Sequence, residues 1–148
     1  MFLIGAMTSD ILQDTPLEDL KDWEKKFVTF VNINDLLVDD FKNKKDDINA
    51  FPGRMPVSEL KNLPPAVVCT SEFDSCNRDC FYLKGKLEEA GKLLDFQNIP
   101  GMHTGFQLDG TAEETDWFYE ECAVAFNKYV CDVDISAQMS NFEPQPEQ

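Results

Sequence analysis

Leu63-Pro64-Pro65-Ala66-Val67-Val68-Cys69-Thr70-Ser71-Glu72-Phe73-Asp74 decides the reading of this chain, together with Leu93-Leu94-Asp95-Phe96-Gln97-Asn98-Ile99-Pro100-Gly101-Met102-His103-Thr104-Gly105-Phe106 about thirty residues on. In the first stretch a proline pair opens an apolar run that ends in an acidic residue. The segment between, Asp79 to Ala90, has helical spacing, with Phe81, Leu83 and Leu87 expected inward and Gly91 as its C-terminal cap. In the second stretch another apolar run ends in a glycine-rich turn that carries the only histidine of the chain. Strand, helix, strand in this order predicts a right-handed crossover and a parallel sheet.

Working outward, Phe2 to Met7 is a short continuous apolar run of the kind buried on both faces of a parallel sheet. The expected fold is α/β, with about three parallel strands near 2–7, 66–70 and 93–99 flanked by helices. Thr15 is expected to cap a helix with Pro16 at its first position, Leu17 and Leu20 on its apolar side and Trp23 and Glu24 further along. Ile33 to Phe41 reads as a second helix. Phe51 to Pro65 holds four of the eight prolines and predicts a turn-rich path over the surface. Asp116 to Val130 reads as a last amphipathic helix, with Trp117, Phe118, Cys122, Ala125, Phe126 and Tyr129 as its apolar side. The expected organisation is a domain over 1–131, with 1–51 as a strand plus cap-like helices and 58–131 as strand-helix units. An acidic tail follows over 132–148.

The 148 residues carry a net charge of −15, with 28 acidic against 13 basic side chains. Such a surface repels phosphate backbones and anionic headgroups, so neither nucleic-acid binding nor a membrane-surface role is expected. No run is long enough to span a bilayer. The five cysteines, at 69, 76, 80, 122 and 131, follow no disulfide framework, and a reducing intracellular compartment such as the cytoplasm is expected. Cys76 and Cys80 are one helical turn apart, but a lone histidine and no second cysteine pair make a metal site unexpected. No cofactor is expected.

The Leu63-Pro64-Pro65 opening, the Ser71-Glu72-Phe73-Asp74 ending, Arg78-Asp79, Leu87-Glu88-Glu89-Ala90-Gly91-Lys92 and Pro100-Gly101-Met102 resemble the C-terminal part of the hormone-sensitive-lipase-like α/β-hydrolases, the fold-3 carboxylesterases. The match runs from about Ser58 to Val130 and is looser over Met1 to Phe51. The resemblance implies that Asp74 is the acid that orients a catalytic histidine. In the family the turn reads Gly-Met-x-His-Gly-Phe, whereas here it reads Gly101-Met102-His103-Thr104-Gly105-Phe106. With both ends of the turn in register, Thr104 occupies the histidine position and His103 stands one residue early; a rearranged turn would bring His103 itself to Asp74.

The family also needs a serine in a Gly-x-Ser-x-Gly elbow and an oxyanion loop upstream, and neither is in this chain. Cys69 and Cys76 lie near Asp74, but a buried strand cysteine is core material before it is a nucleophile. Two functions stay open. One is a non-catalytic structural or interaction subunit of a larger assembly. The other is the C-terminal part of a serine carboxylesterase or lipase-like hydrolase whose nucleophile lies on a separate segment. Both leave the sheet edge near Phe2 to Met7 to be covered by a protein partner or a second copy.

Overall fold

The structure, a computed structural model, describes residues 1–4, 11–30, 47–49, 51–103, 105 and 113–132. The expected helix over 33–41 and all of the expected tail over 132–148 except Asp132 lie outside these residues. Among them, one parallel sheet forms in the order β1-β2-β3, with β1 at Phe2–Ile4, β2 at Ala66–Phe73 and β3 at Leu93–His103. The α/β class and the three parallel strands stand. β2 and β3 run past the apolar stretches that mark them in sequence, because ladder hydrogen bonds need backbone groups and not apolar side chains. Residues 5–7 of the expected first strand lie outside the described part.

Alternation along β2 assigns the two faces. Ala66 and Val68 pack with Cys80, Leu83 and Leu87, joined by Leu3, Leu93 and Phe96. Cys69 points to the other face and packs with Ile99 and Phe118, joined by Met102, Trp117 and Cys122. Leu93 and Phe96 share a face despite their odd spacing, because the pairing shifts by one residue between Ala66/Val67 and Leu93/Asp95.

Five helices surround the sheet among the described residues: α1 at Ile11–Asp14, α2 at Asp22–Phe30, α3 at Val57–Leu60, α4 at Asn77–Glu89 and α5 at Glu113–Phe126. α4 covers one face and α5 the other, each through a narrow apolar stripe. α4 closes on Gly91, whose φ of +67° is left-handed and lets the Lys92 N–H donate to the Leu87 carbonyl at 2.8 Å. Phe81 is 46% exposed, against expectation. It lies off the Cys80-Leu83-Leu87 stripe and packs edge-on against Phe96 at 4.8 Å.

Three other expectations are corrected. Thr15 does not start a long helix. Leu17–Asp19 forms a 3-10 turn, Leu20 turns extended, and α2 begins only at Asp22, so Leu17 is exposed and Leu20 buried. The cap of α2 is instead Glu24, whose carboxylate accepts the Lys21 N–H at 2.6 Å from the third helical position. The proline-rich stretch is more than a surface path: Phe51 and Leu60 are fully buried, and Lys86 of α4 donates to the Gly53 and Met55 carbonyls. The last helix runs Glu113–Phe126 and continues as a π-helical turn at Asn127–Cys131. Its expected apolar side splits, with Phe118 and Ala125 buried but Phe126 and Tyr129 exposed.

Candidate functional site

β2 and β3 deliver the two singled-out residues to the same end of the sheet. Asp74 follows directly on Phe73, the last residue of β2, and Phe73 stands in register with His103, the last residue of β3. Asp74 and His103 therefore occupy neighbouring strand tips. Thr104 lies outside the described residues.

The aspartate is built into its turn. It is only 4% exposed, and its Oδ1 accepts the Cys76 N–H at 2.8 Å. Its own N–H donates to the Ser71 carbonyl at 3.1 Å, and its carbonyl accepts the Asn77 N–H at 2.9 Å. This is an Asx turn that starts α4 and holds the carboxylate at the strand end. Asn77 stitches the two strands next to it, donating through Nδ2 to the Ser71 carbonyl at 2.9 Å and to Asn98 Oδ1 at 3.0 Å. His103 is exposed.

A displacement in the ladder sets where His103 falls. From Ser71 to Phe73 β2 advances two residues, while β3 advances four, from Ile99 to His103. The surplus includes Pro100, which has no N–H, and Gly101, which has a φ of +70°. The Gly101 N–H donates to Glu72 Oε2 at 2.9 Å. Sequence reading missed this role of Glu72; the one available signal is a carboxylate two residues before Asp74, beside a strand that ends in Pro-Gly.

The end of β2 and the start of α4 are braced from α2. Trp23 packs edge-on against Phe73 at 5.6 Å. Arg78, in the first turn of α4, donates through Nε to Glu24 Oε1 at 2.5 Å, and through Nη2 to Glu24 Oε2 at 2.9 Å and the Asp19 carbonyl at 2.8 Å. Burial alone would raise the Glu24 carboxyl, which is 2% exposed. The Arg78 hydrogen bond, the Lys21 N–H and the Arg78 charge outweigh it and hold Glu24 below the ordinary carboxylate value.

The nearby thiols are poor nucleophiles. Burial, followed by repulsion from its neighbours, pushes Cys69 up to about 12. Burial and then the Asp74 charge push Cys76 up to about 12 as well. Both are neutral thiols at ordinary pH, and the thiolate is the reactive form. Among the described residues no three His, Cys, Asp or Glu side chains converge as a metal-holding group. No helix among them is long and apolar enough to cross a membrane.

No protein-family model matches the chain, and no curated protein matches it in sequence. Solved structures do match. A thermostable esterase from Pseudomonas putida superposes on 72% of this chain and 34% of its own, at 26% identity and a TM-score of 0.54. Carboxyl esterase 2 from the mycorrhizal fungus Tuber melanosporum covers 71% of this chain and 35% of its own, at 20% identity and a TM-score of 0.49. Brefeldin A esterase, described as a bacterial homologue of human hormone-sensitive lipase, covers 47% and 19%, at 28% identity and a TM-score of 0.43. The fold assignment rests on the Pseudomonas enzyme. This chain spans about a third of the length of the first two of these esterases and 19% of the third. It carries part of an α/β-hydrolase fold and is similar to carboxylesterases, the group to which its strand-end motifs pointed.

Proposed function

We propose that this chain is the acid-and-base end of a carboxylesterase-type hydrolase, completed by a segment that brings the nucleophilic serine. The carrying observation is the register that sets Phe73 opposite His103, with Asp74 next in line. In this reading a serine hydroxyl from the completing segment attacks the ester carbonyl as His103 takes its proton. Asp74 orients the imidazole and stabilises it while charged, and His103 then protonates the departing alkoxide. Water repeats the cycle on the acyl-enzyme. The aromatic pair Trp23 and Phe73 beside the strand tips favours a small, apolar ester.

Support for a completing segment comes from the other edge. β1 pairs with β2 alone among the described residues, and parallel sheets are covered on their edges and faces. Beside it Ile4, 44% exposed, joins Phe118, Tyr119, Cys122, Ala123 and Phe126 around an apolar groove of about 320 Å³. The same edge favours a second reading, a non-catalytic subunit docked through β1 into a larger assembly.

Co-expression with the esterase segment that ends where the match to this chain begins separates the two. The isolated chain should leave p-nitrophenyl butyrate untouched, and the reconstituted complex should hydrolyse it. In that complex Asp74→Asn should lower kcat by about 10⁴-fold. Turnover indifferent to Asp74→Asn and His103→Ala would remove both residues from the chemistry and leave the docked-subunit reading.

A further inference from the structure

We infer that Glu72 is a positioning residue: its carboxylate clamps the surplus residues of β3 and thereby sets the place of His103. Regular parallel pairing beyond Ser71 and Ile99 would put Gly101 opposite Phe73, two residues short of the histidine. The shift that brings His103 there occurs between Ser71 and Phe73, on either side of Glu72. Three residues, Pro100, Gly101 and Met102, stand on β3 where β2 has only Glu72. Pro100 has no backbone donor, and that of Gly101 goes to Glu72 Oε2 at 2.9 Å. A carboxylate acceptor makes this a charge-assisted bond between two strands, aimed at the residue with left-handed φ.

Strand side chains alternate faces, so a one-residue slip in this bulge turns the imidazole to the other side of the sheet. Without the clamp the bulge keeps only its side-chain anchor, Met102 against Cys69, Ile99 and Phe118, while the backbone at Gly101 is released and the register of the histidine with Phe73 loosens. Glu72 thus acts through the backbone of Gly101 and not on substrate. Its importance for turnover rests on the acid-and-base reading above; its effect on the place of His103 does not.

His103 is the only histidine in the chain, so its imidazole Cε1–H resonance is a single, assignable reporter. In the full chain, Glu72→Ala should shift that resonance and speed hydrogen exchange at the Gly101 amide about tenfold or more, with the far-ultraviolet spectrum kept. Glu72→Gln retains an oxygen at the same reach and should keep both readouts near wild type. Glu72→Asp, shorter by one methylene, should behave as the alanine variant does and serves where alanine fails to fold. In the reconstituted complex Glu72→Ala should lower kcat with little change in KM, and glutamine should restore it. A wild-type imidazole resonance and wild-type Gly101 exchange in both the alanine and aspartate variants would overturn the clamp. A shifted imidazole with unchanged turnover would uphold the clamp and instead count against His103 as the base.

Discussion

At the scale of single residues, the site end of the sheet is set by polar groups whose satisfaction can be traced one by one. Asp74 serves as turn former and strand-end carboxylate at once, since its Oδ1 is held by the Cys76 N–H while the residue stays buried. An Asx turn makes the two one geometry. Thr70, on the α4 face of β2, is different. Its hydroxyl is buried and has no hydrogen-bond partner. An unsatisfied buried hydroxyl costs free energy that an isosteric methyl does not. Thr70→Val is therefore expected to raise stability by about 1 kcal/mol, seen as a higher urea midpoint at unchanged slope. A lower midpoint would mean that the hydroxyl is satisfied in solution. The resemblance singled out Asp74 and His103, which lie just beyond the apolar runs at 66–70 and 93–99. Glu72 was not legible, because its partner is a backbone N–H on another strand.

At the scale of elements, α2 and α4 are bound by an ion pair between buried Glu24 and half-buried Arg78 that no pattern in the sequence announces, since the two are 54 positions apart. Helical spacing found the apolar stripe of α4 but could not say that its first turn would reach across to α2. Arg78→Ala would leave the buried Glu24 carboxylate with the Lys21 N–H but without its charged partner, and a loss of about 2 kcal/mol is expected at neutral pH. The pH dependence follows from the lowered Glu24 carboxyl. With the folded value below the ordinary 4.5, the stabilising contribution is fully present above pH 4.5 and is lost as pH falls through the folded value. The gap between wild type and Arg78→Ala should therefore narrow on acidification below pH 4.5, in denaturation measured across that range. A gap that stays constant would separate the pair from the stability it is credited with.

At the scale of the whole molecule, the described residues form two well-covered faces and an uncovered flank. α4 and α5 seal the faces of β2 and β3, while β1 and the outer side of α5 present Ile4, Tyr119 and Phe126. A flank of this kind attracts apolar dyes and further strands. Ile4→Glu places a negative charge beside the groove, where it removes apolar surface and repels the sulfonate, and should cut 1-anilinonaphthalene-8-sulfonate fluorescence severalfold. Stability should move by no more than about 0.5 kcal/mol, because the position contributes little to the core. Unchanged dye binding would locate the apolar surface elsewhere. The same variant should weaken assembly with the completing esterase segment without touching Asp74 or His103.

The order of apolar runs, a helix between them and a glycine cap determined the α/β class and the parallel strands, because these follow from local periodicity and backbone preference. The register did not follow. Where β3 bulges, which residue faces Phe73, how Glu24 meets Arg78 and which side of α5 stays bare depend on contacts between segments far apart in sequence. Those contacts are chosen by the packing of the assembled sheet.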